Sequence, residues 1–141
     1  AFAMSVQLGG WWMIGDTEIG PSGSNRCVDS VCVPAKLNWL GNGERWMRVG
    51  MGTWAGGLIA AFVLVVMSAA LAAKKIPRLA AKTVLVSVVT AGLAGALFAW
   101  QFPRAEYPAA ELGRGALLFI AAIALGATSA ILVLRGKPLA P

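Results

Sequence analysis

The sequence has no histidine, few charged residues and only two cysteines. Without histidine the chain lacks the commonest metal ligand and the commonest acid–base group, which argues against a haem or chlorin held by a histidine. It also lacks a P-loop, a nucleotide-binding glycine motif, a zinc-protease motif and a serine–histidine pair. We therefore expect no catalytic residue, no metal and no cofactor, and we predict that the protein is not an enzyme.

The scarcity of charge points to a membrane. Charged residues make up 13% of the chain and hydrophobic residues 58%, whereas soluble domains carry about 25% charged residues. Three runs contain no charged residue at all, over 51–73, 83–102 and 115–134. Each is long enough for a membrane helix, which needs about 20 apolar residues. The sequence predicts an all-α membrane protein with three transmembrane helices in a domain over 51–141.

The charges that remain predict the orientation of these helices. The loop 74–82 and the C-terminus hold six basic residues and no acidic one, whereas 1–50 and 103–114 balance six basic against six acidic residues. The positive-inside rule then places the loop 74–82 and the C-terminus in the cytoplasm. Residues 1–50 and 103–114 become extracytoplasmic, in a plasma or inner membrane. The net charge of +6 thus reports topology, and we expect no nucleic-acid partner.

The tryptophans agree with this orientation. Aromatic rings favour the boundary between water and lipid, because one edge of the ring is apolar and the other can form a hydrogen bond. Five of the six lie at the predicted outer boundary and are predicted to be interfacial: Trp11, Trp12, Trp46, Trp54 and Trp100.

The outer side is an oxidising compartment, where disulfides persist. Cys27 and Cys32 both lie there, and Asp29 and Ser30 between them favour a turn. We predict a structural disulfide. A redox-active pair and free or intermolecular thiols are the alternatives. Zinc is disfavoured, because two thiolates without a further ligand pair do not complete a tetrahedral structural site.

The segment 1–50 is rich in tryptophan and glycine and is predicted to form a small extracytoplasmic layer. The runs VQLGGWWMI and SVCVPAKL each suit a short strand, which favours a hairpin or small sheet; an irregular ordered loop is the alternative. The apolar start AFAMSV fits either the remainder of a cleaved signal peptide or the outer end of a helix that precedes residue 1. In the second case the transmembrane helices number four.

Small residues recur at a spacing of four in each predicted span. Helices in lipid associate through close backbone contact along such residues. We predict helix-packing seams, with the partner helix either in this chain or in another subunit. Their members are Gly52, Gly56, Ala60, Ser87, Ala91, Gly95, Ala99, Ala122, Gly126 and Ala130.

The order of tryptophans, cysteine pair and membrane span resembles the claudin and peripheral myelin protein group. The matching features are Trp11 or Trp12, the glycine-rich stretch to Cys27, then Cys32, and the entry ERWMRVGM into the first span. The cysteine spacing is tighter than in that family, and its Gly-Leu-Trp tripeptide is missing. The resemblance implies an outer sheet held by one disulfide, a second short outer loop, and a role in adhesion, barrier formation or a larger complex.

We therefore expect a non-enzymatic integral membrane accessory or scaffolding subunit. Its partners would be the lipid bilayer and either other membrane subunits or copies of itself. The alternatives are a claudin-like adhesion or barrier protein that acts through its outer segment, and a membrane thiol–disulfide oxidoreductase that uses Cys27 and Cys32.

Overall fold

The computed structural model describes residues 2–7, 10–29, 31–35, 43–73, 77–105 and 107–136. Its helices are α1 (Phe2–Gln7), α2 (Gly43–Ala72), α3 (Pro77–Trp100) and α4 (Arg114–Arg135). Its strands are β1 (Trp12–Ile14), β2 (Thr17–Gly20), β3 (Gly23–Val28), β4 (Val31–Ala35) and β5 (Glu111–Leu112).

The three long helices correspond to the three predicted spans. The segments Arg48–Ala70, Arg78–Trp100 and Arg114–Arg135 are long and apolar enough to cross a membrane, with mean hydropathies of 2.0, 1.9 and 2.6. Of the predicted all-α membrane protein, the three long apolar helices are confirmed, and the chain is mostly helical; insertion in a membrane stays a prediction.

The helices do not have the same bounds as the predicted membrane spans. α2 starts at Gly43, ahead of the predicted 51, and α3 occupies 77–100 in place of 83–102. Proline suits the first helical position because its missing N–H has no intrahelical partner there, so α3 begins at Pro77. Residues 77–82 are therefore helical, whereas 74–76 of the predicted loop lie outside the described residues. α3 ends shortly before Pro103, which disfavours helical geometry in the residue before it.

The helices pack in sequence, α2 on α3 and α3 on α4, while the short α1 contacts both α2 and α4. Val6 of α1 lies against Gly57 of α2, and Phe2 lies near Gly126 of α4. Predicted seam positions that are buried in these contacts are Ala60, Ala91, Gly95, Ala122, Gly126 and Ala130. Gly56, Ser87 and Ala99 are half-buried. Gly52 is exposed, with open space where a Cβ would stand.

The five strands form one antiparallel sheet in the order β4-β3-β2-β1-β5. Two residues join each pair of consecutive strands from β1 to β4, because Ile14 pairs with Thr17, Gly20 with Gly23 and Val28 with Val31. Such short hairpin turns favour positive φ angles, and Gly15 (φ 56°) and Asp29 (φ 48°) supply them. The predicted small sheet is confirmed, and so is the turn at Asp29.

The predicted division into an outer segment 1–50 and a helical domain 51–141 does not follow the elements of the structure, because helices and strands lie on both sides of residue 50. α1 lies with the helices, and β5, from the loop between α3 and α4, completes the sheet beside β1. The sheet therefore stands on one end of the helices, here called the sheet end.

Candidate interaction site on the sheet

Seven buried aromatic rings join the sheet to the helices. This cluster, here called the aromatic anchor, consists of Phe2, Trp11, Trp12, Trp46, Phe98, Phe102 and Phe119, each at most 5% exposed. Every helix contributes at least one ring, and β1 with the residue before it contributes two. The sheet is thus held by all four helices.

The rings of the anchor touch in a continuous chain. Trp12 of β1 stacks on Phe102, with ring centroids 4.4 Å apart, and meets Phe98 edge-on at 5.1 Å. Trp46 of α2 stacks on the same Phe98, with ring centroids 4.8 Å apart. Aromatic pairs in such arrangements contribute about 0.5–1.5 kcal/mol each beyond the area that they bury.

Two tryptophans of the anchor also satisfy helix ends. The last four carbonyls of a helix have no partner within it. The indole N–H of Trp46 donates to the carbonyl of Phe98 in the last turns of α3, and the indole N–H of Trp11 donates to the carbonyl of Ser5 in α1, both at 3.1 Å. Each ring therefore fills space and caps a helix with the same side chain.

Backbone contacts tie β1 to the start of α4. The N–H of Gly113 donates to the carbonyl of Trp11 at 2.8 Å, and the N–H of Gly115 donates to the carbonyl of Gly10 at 2.9 Å. A Cβ at Gly113 would overlap the carbonyl of Gly10, so only glycine permits this approach. The position of the sheet relative to α4 is thereby fixed.

The predicted interfacial tryptophans divide into two groups. Trp11, Trp12 and Trp46 are buried in the anchor, whereas Trp54 is half-buried and Trp100 is 81% exposed. The depth of all five in a membrane stays a prediction. Phe98, Phe102 and Phe119 give no signal in the sequence, because phenylalanine in an apolar span is ordinary.

A buried hydroxyl links α2 to α3 below the anchor. Thr53 is fully buried, and its Oγ1 lies 2.9 Å from the carbonyl oxygen of Ala94 and 3.0 Å from that of Val49 in its own helix. Among the described residues, no buried side-chain nitrogen or oxygen lacks a partner. The buried polar side chains described here therefore all have hydrogen-bond partners.

At the far end of the sheet, a disulfide closes the hairpin of β3 and β4. Cys27 and Cys32 are directly opposite one another and are bonded, with Cα atoms 4.0 Å apart. The predicted disulfide is present in the structure. Within the described residues, no group of three or more metal-ligating side chains occurs.

The hairpin presents an apolar patch. Val28, Val31 and Val33 are 50%, 66% and 54% exposed. Residues paired across strands share a face and alternate residues return to it, so the three valines share the face on which Ser24 is buried against the rest of the protein. The helix-facing side of the sheet therefore continues past the helices as an exposed valine patch, and we use that name for Val28, Val31 and Val33.

Among the described strands β4 is the outermost one beside this patch, and its outer edge does not favour strand addition. Closely spaced partners in an antiparallel pair are those that exchange no hydrogen bonds, as at Cys27 and Cys32, and pairing alternates along the strands. Asn25 and Pro34 are therefore also a pair that exchanges no hydrogen bonds. In such a pair the backbone nitrogens point away from the partner strand, so that of Pro34 faces the outer edge of β4. Because proline has no N–H to offer, this edge is poorly suited to an added strand.

Neither a protein-family model, nor a curated protein, nor a solved structure matches this chain. Function is therefore argued from the site alone.

Proposed function

We propose that this protein is a non-enzymatic integral membrane subunit that scaffolds or accompanies other membrane proteins, which it binds through the valine patch. The observation that carries the proposal is the exposure of Val28, Val31 and Val33 together on one face of a disulfide-closed hairpin. Contiguous exposed apolar surface on a folded protein commonly marks an interaction site.

The proposed setting is a plasma or inner membrane with the sheet end outside. Arg78, Lys82 and Arg135 lie towards the opposite ends of α3 and α4 from the sheet, as expected for a cytoplasmic side. A disulfide on the sheet suits an oxidising compartment. Both observations support the orientation drawn from charge.

Rigidity makes the patch suitable for binding. The aromatic anchor fixes β1 on the helices. β2 pairs with β1 and β3 pairs with β2, and the disulfide bonds β4 to β3. A preorganised surface loses little conformational freedom on binding. Covering these three half-exposed valines removes apolar area worth roughly 3–5 kcal/mol, at about 1.5–3 kcal/mol for each fully covered valine side chain.

The partner surface that fits is apolar with an acidic margin. Arg26 is exposed and shares the face of the valine patch, opposite Val33. We expect an extracytoplasmic part of another membrane protein, which rests beside the helices and places a carboxylate near Arg26. Such peripheral charges act mainly on specificity and association rate.

The test is gentle detergent extraction of the native protein, followed by native mass spectrometry. We expect other membrane subunits to accompany the wild type in a fixed ratio. The triple variant V28T/V31T/V33T should lose them, because threonine keeps the β-branched shape but makes the patch polar. Met13→Thr, on the opposite face of the sheet, is the matched control and should retain them. A triple variant that keeps its subunits contradicts the proposal.

A claudin-like adhesion or barrier role is the second candidate, because the same rigid hairpin also suits contact with copies of this chain. In that case the wild type extracts as a homo-oligomer without other subunits, and V28T/V31T/V33T disperses it.

A membrane thiol–disulfide oxidoreductase is the third candidate, since Cys32 is exposed and accessible to an attacking thiolate. It predicts labelling of both cysteines after mild reduction. A pair that resists mild reductant in the folded protein excludes it.

A further inference from the structure

An apolar groove lies between α3 and α4, on the side of the helices away from α2. Its volume is about 390 Å³, within the usual range of small-molecule sites. Its walls are mostly small or branched apolar residues: Gly92, Ala96 and Ala99 of α3, and Ala116, Ile120 and Ala124 of α4. At the sheet end Leu112 and Arg104 also line the groove.

The groove continues into a polar cavity at that end. This second cavity, of about 270 Å³, shares Trp12, Arg104 and Leu112 with the groove and adds Tyr107 and Phe102. Among the described residues, Arg104, which is exposed, is the charged residue that lines both spaces. The combined space is apolar along the helices and cationic at the sheet end.

From this polarity we propose that the groove binds one anionic phospholipid, with an acyl chain between α3 and α4 and the headgroup phosphate at Arg104. The inference rests on the proposed membrane location with the sheet end outside. Arginine is well suited to phosphate because its guanidinium presents several donors in a fixed plane.

The dimensions favour an acyl chain over a helix of a partner protein. From Gly92 to Ala99 and from Ala116 to Ala124 the walls extend about 10–12 Å at a rise of 1.5 Å per residue. A volume of about 390 Å³ over that length gives a mean cross-section of about 35 Å². A helix with its side chains has a diameter of about 10 Å, or a cross-section of roughly 80 Å², so an acyl chain fits within the groove whereas a helix inserts only its side chains there.

Native mass spectrometry of the purified full chain tests the proposal, with phosphatidylglycerol and phosphatidylcholine as the two probes. We expect one phosphatidylglycerol per chain, bound in preference to phosphatidylcholine. Arg104→Gln should weaken phosphatidylglycerol binding about fivefold, the weight of one basic residue beside an anionic headgroup, and should remove the preference. Ala96→Phe should block both lipids by filling the groove.

Two matched variants serve as controls. Arg114 is an exposed arginine near the same end that does not line the groove, and Leu97 is exposed on the same turn of α3 but points elsewhere. Arg114→Gln and Leu97→Phe should leave binding unchanged. Equal losses in Arg104→Gln and Arg114→Gln, or full binding by Ala96→Phe, overturn the proposal. Capture of a protein by a photo-crosslinker at Ala96 also overturns it, in favour of a partner helix.

The outcome is separable from that of the proposed function. Lipid binding is measured on the isolated chain, whereas the accessory role is read from the subunits that accompany it. Loss of lipid preference with subunits retained removes only the lipid site. Lipid binding by a chain that extracts without partners removes only the accessory role.

Discussion

Gly95 offers the sharpest test of how the sheet is held on the helices. A Cβ at this position would overlap Cε1 of Phe119 and lie 3.0 Å from Cη2 of Trp11, and both rings belong to the aromatic anchor. Gly95→Ala therefore forces two buried rings to move. Overpacking of this kind costs about 1–3 kcal/mol. Gly52→Ala is the matched control, because the space around Gly52 is open.

Both substitutions replace glycine by alanine within a long helix, so both gain the same helix propensity, about 1 kcal/mol. Their difference isolates the overlap at the anchor. We expect Gly95→Ala to be less stable than Gly52→Ala by about 1–3 kcal/mol, measured by unfolding in mixed micelles and followed by tryptophan fluorescence. Phe119→Leu should restore part of the loss, as a coupling of about 0.5–3 kcal/mol in a double-mutant cycle. Equal stabilities of the two alanine variants, or no coupling to Phe119, would refute the packing described here.

Three further outcomes are expected. Trp46→Phe leaves a buried carbonyl of α3 without its indole donor and should lower stability by about 1–3 kcal/mol in the same unfolding assay. Trp100→Phe, which changes an exposed ring, is the control and should alter stability little. Similar losses in both variants would contradict the capping role of Trp46. Replacing Cys27 and Cys32 together by serine should lower the free energy of unfolding by about 2 kcal/mol on the loop-length model. The helical circular dichroism signal should stay unchanged. A loss of helical signal would contradict a disulfide that stabilises only its own hairpin. Thr53→Val should lower stability by about 0.6 kcal/mol, the average for a hydrogen bond between membrane helices, while Thr53→Ser should not, and an unchanged Thr53→Val would show that the contact contributes nothing.

The long helices were predictable because length and hydropathy alone identify them. Their ends were not, because the predicted spans 83–102 and 115–134 begin directly after a charged residue, Lys82 and Arg114. Arg78 and Lys82 lie within α3 as exposed side chains, and long basic side chains tolerate this by extending towards water. A rule that forbids charge inside a span therefore shortens the predicted helix.

The sheet was predictable in kind but not in extent. The stretch GDTEIGPSGSN reads as a series of turns, yet it contains β2 and much of β3. Its strands are short and bury little besides Ile19 and Ser24, so no alternation of polarity stands out. They form because Trp12 anchors β1 and the pairing spreads outwards from it, which is a long-range effect that local propensity does not contain. β5, with two residues, gives no signal at all.

The tryptophans show how a correct physical rule can leave the environment undetermined. The indole ring favours a place with one apolar side and one hydrogen-bond acceptor. A membrane boundary supplies both, and so does the buried face of the last turns of α3, where Trp46 meets the carbonyl of Phe98. Sequence position alone does not distinguish these two environments. The valine patch was hidden for a similar reason, because its exposure depends on the register of β3 and β4.

The most direct test of the central claim is site-specific photo-crosslinking in the native membrane, with the photoreactive residue at Val31 and a control at Val65. Both side chains are strongly exposed, but Val65 lies on the apolar middle of α2. If the protein is an accessory subunit bound through the valine patch, Val31 yields one discrete crosslink to a different membrane protein and Val65 does not. Crosslinks at Val31 only to copies of this chain, or none at all, would contradict it.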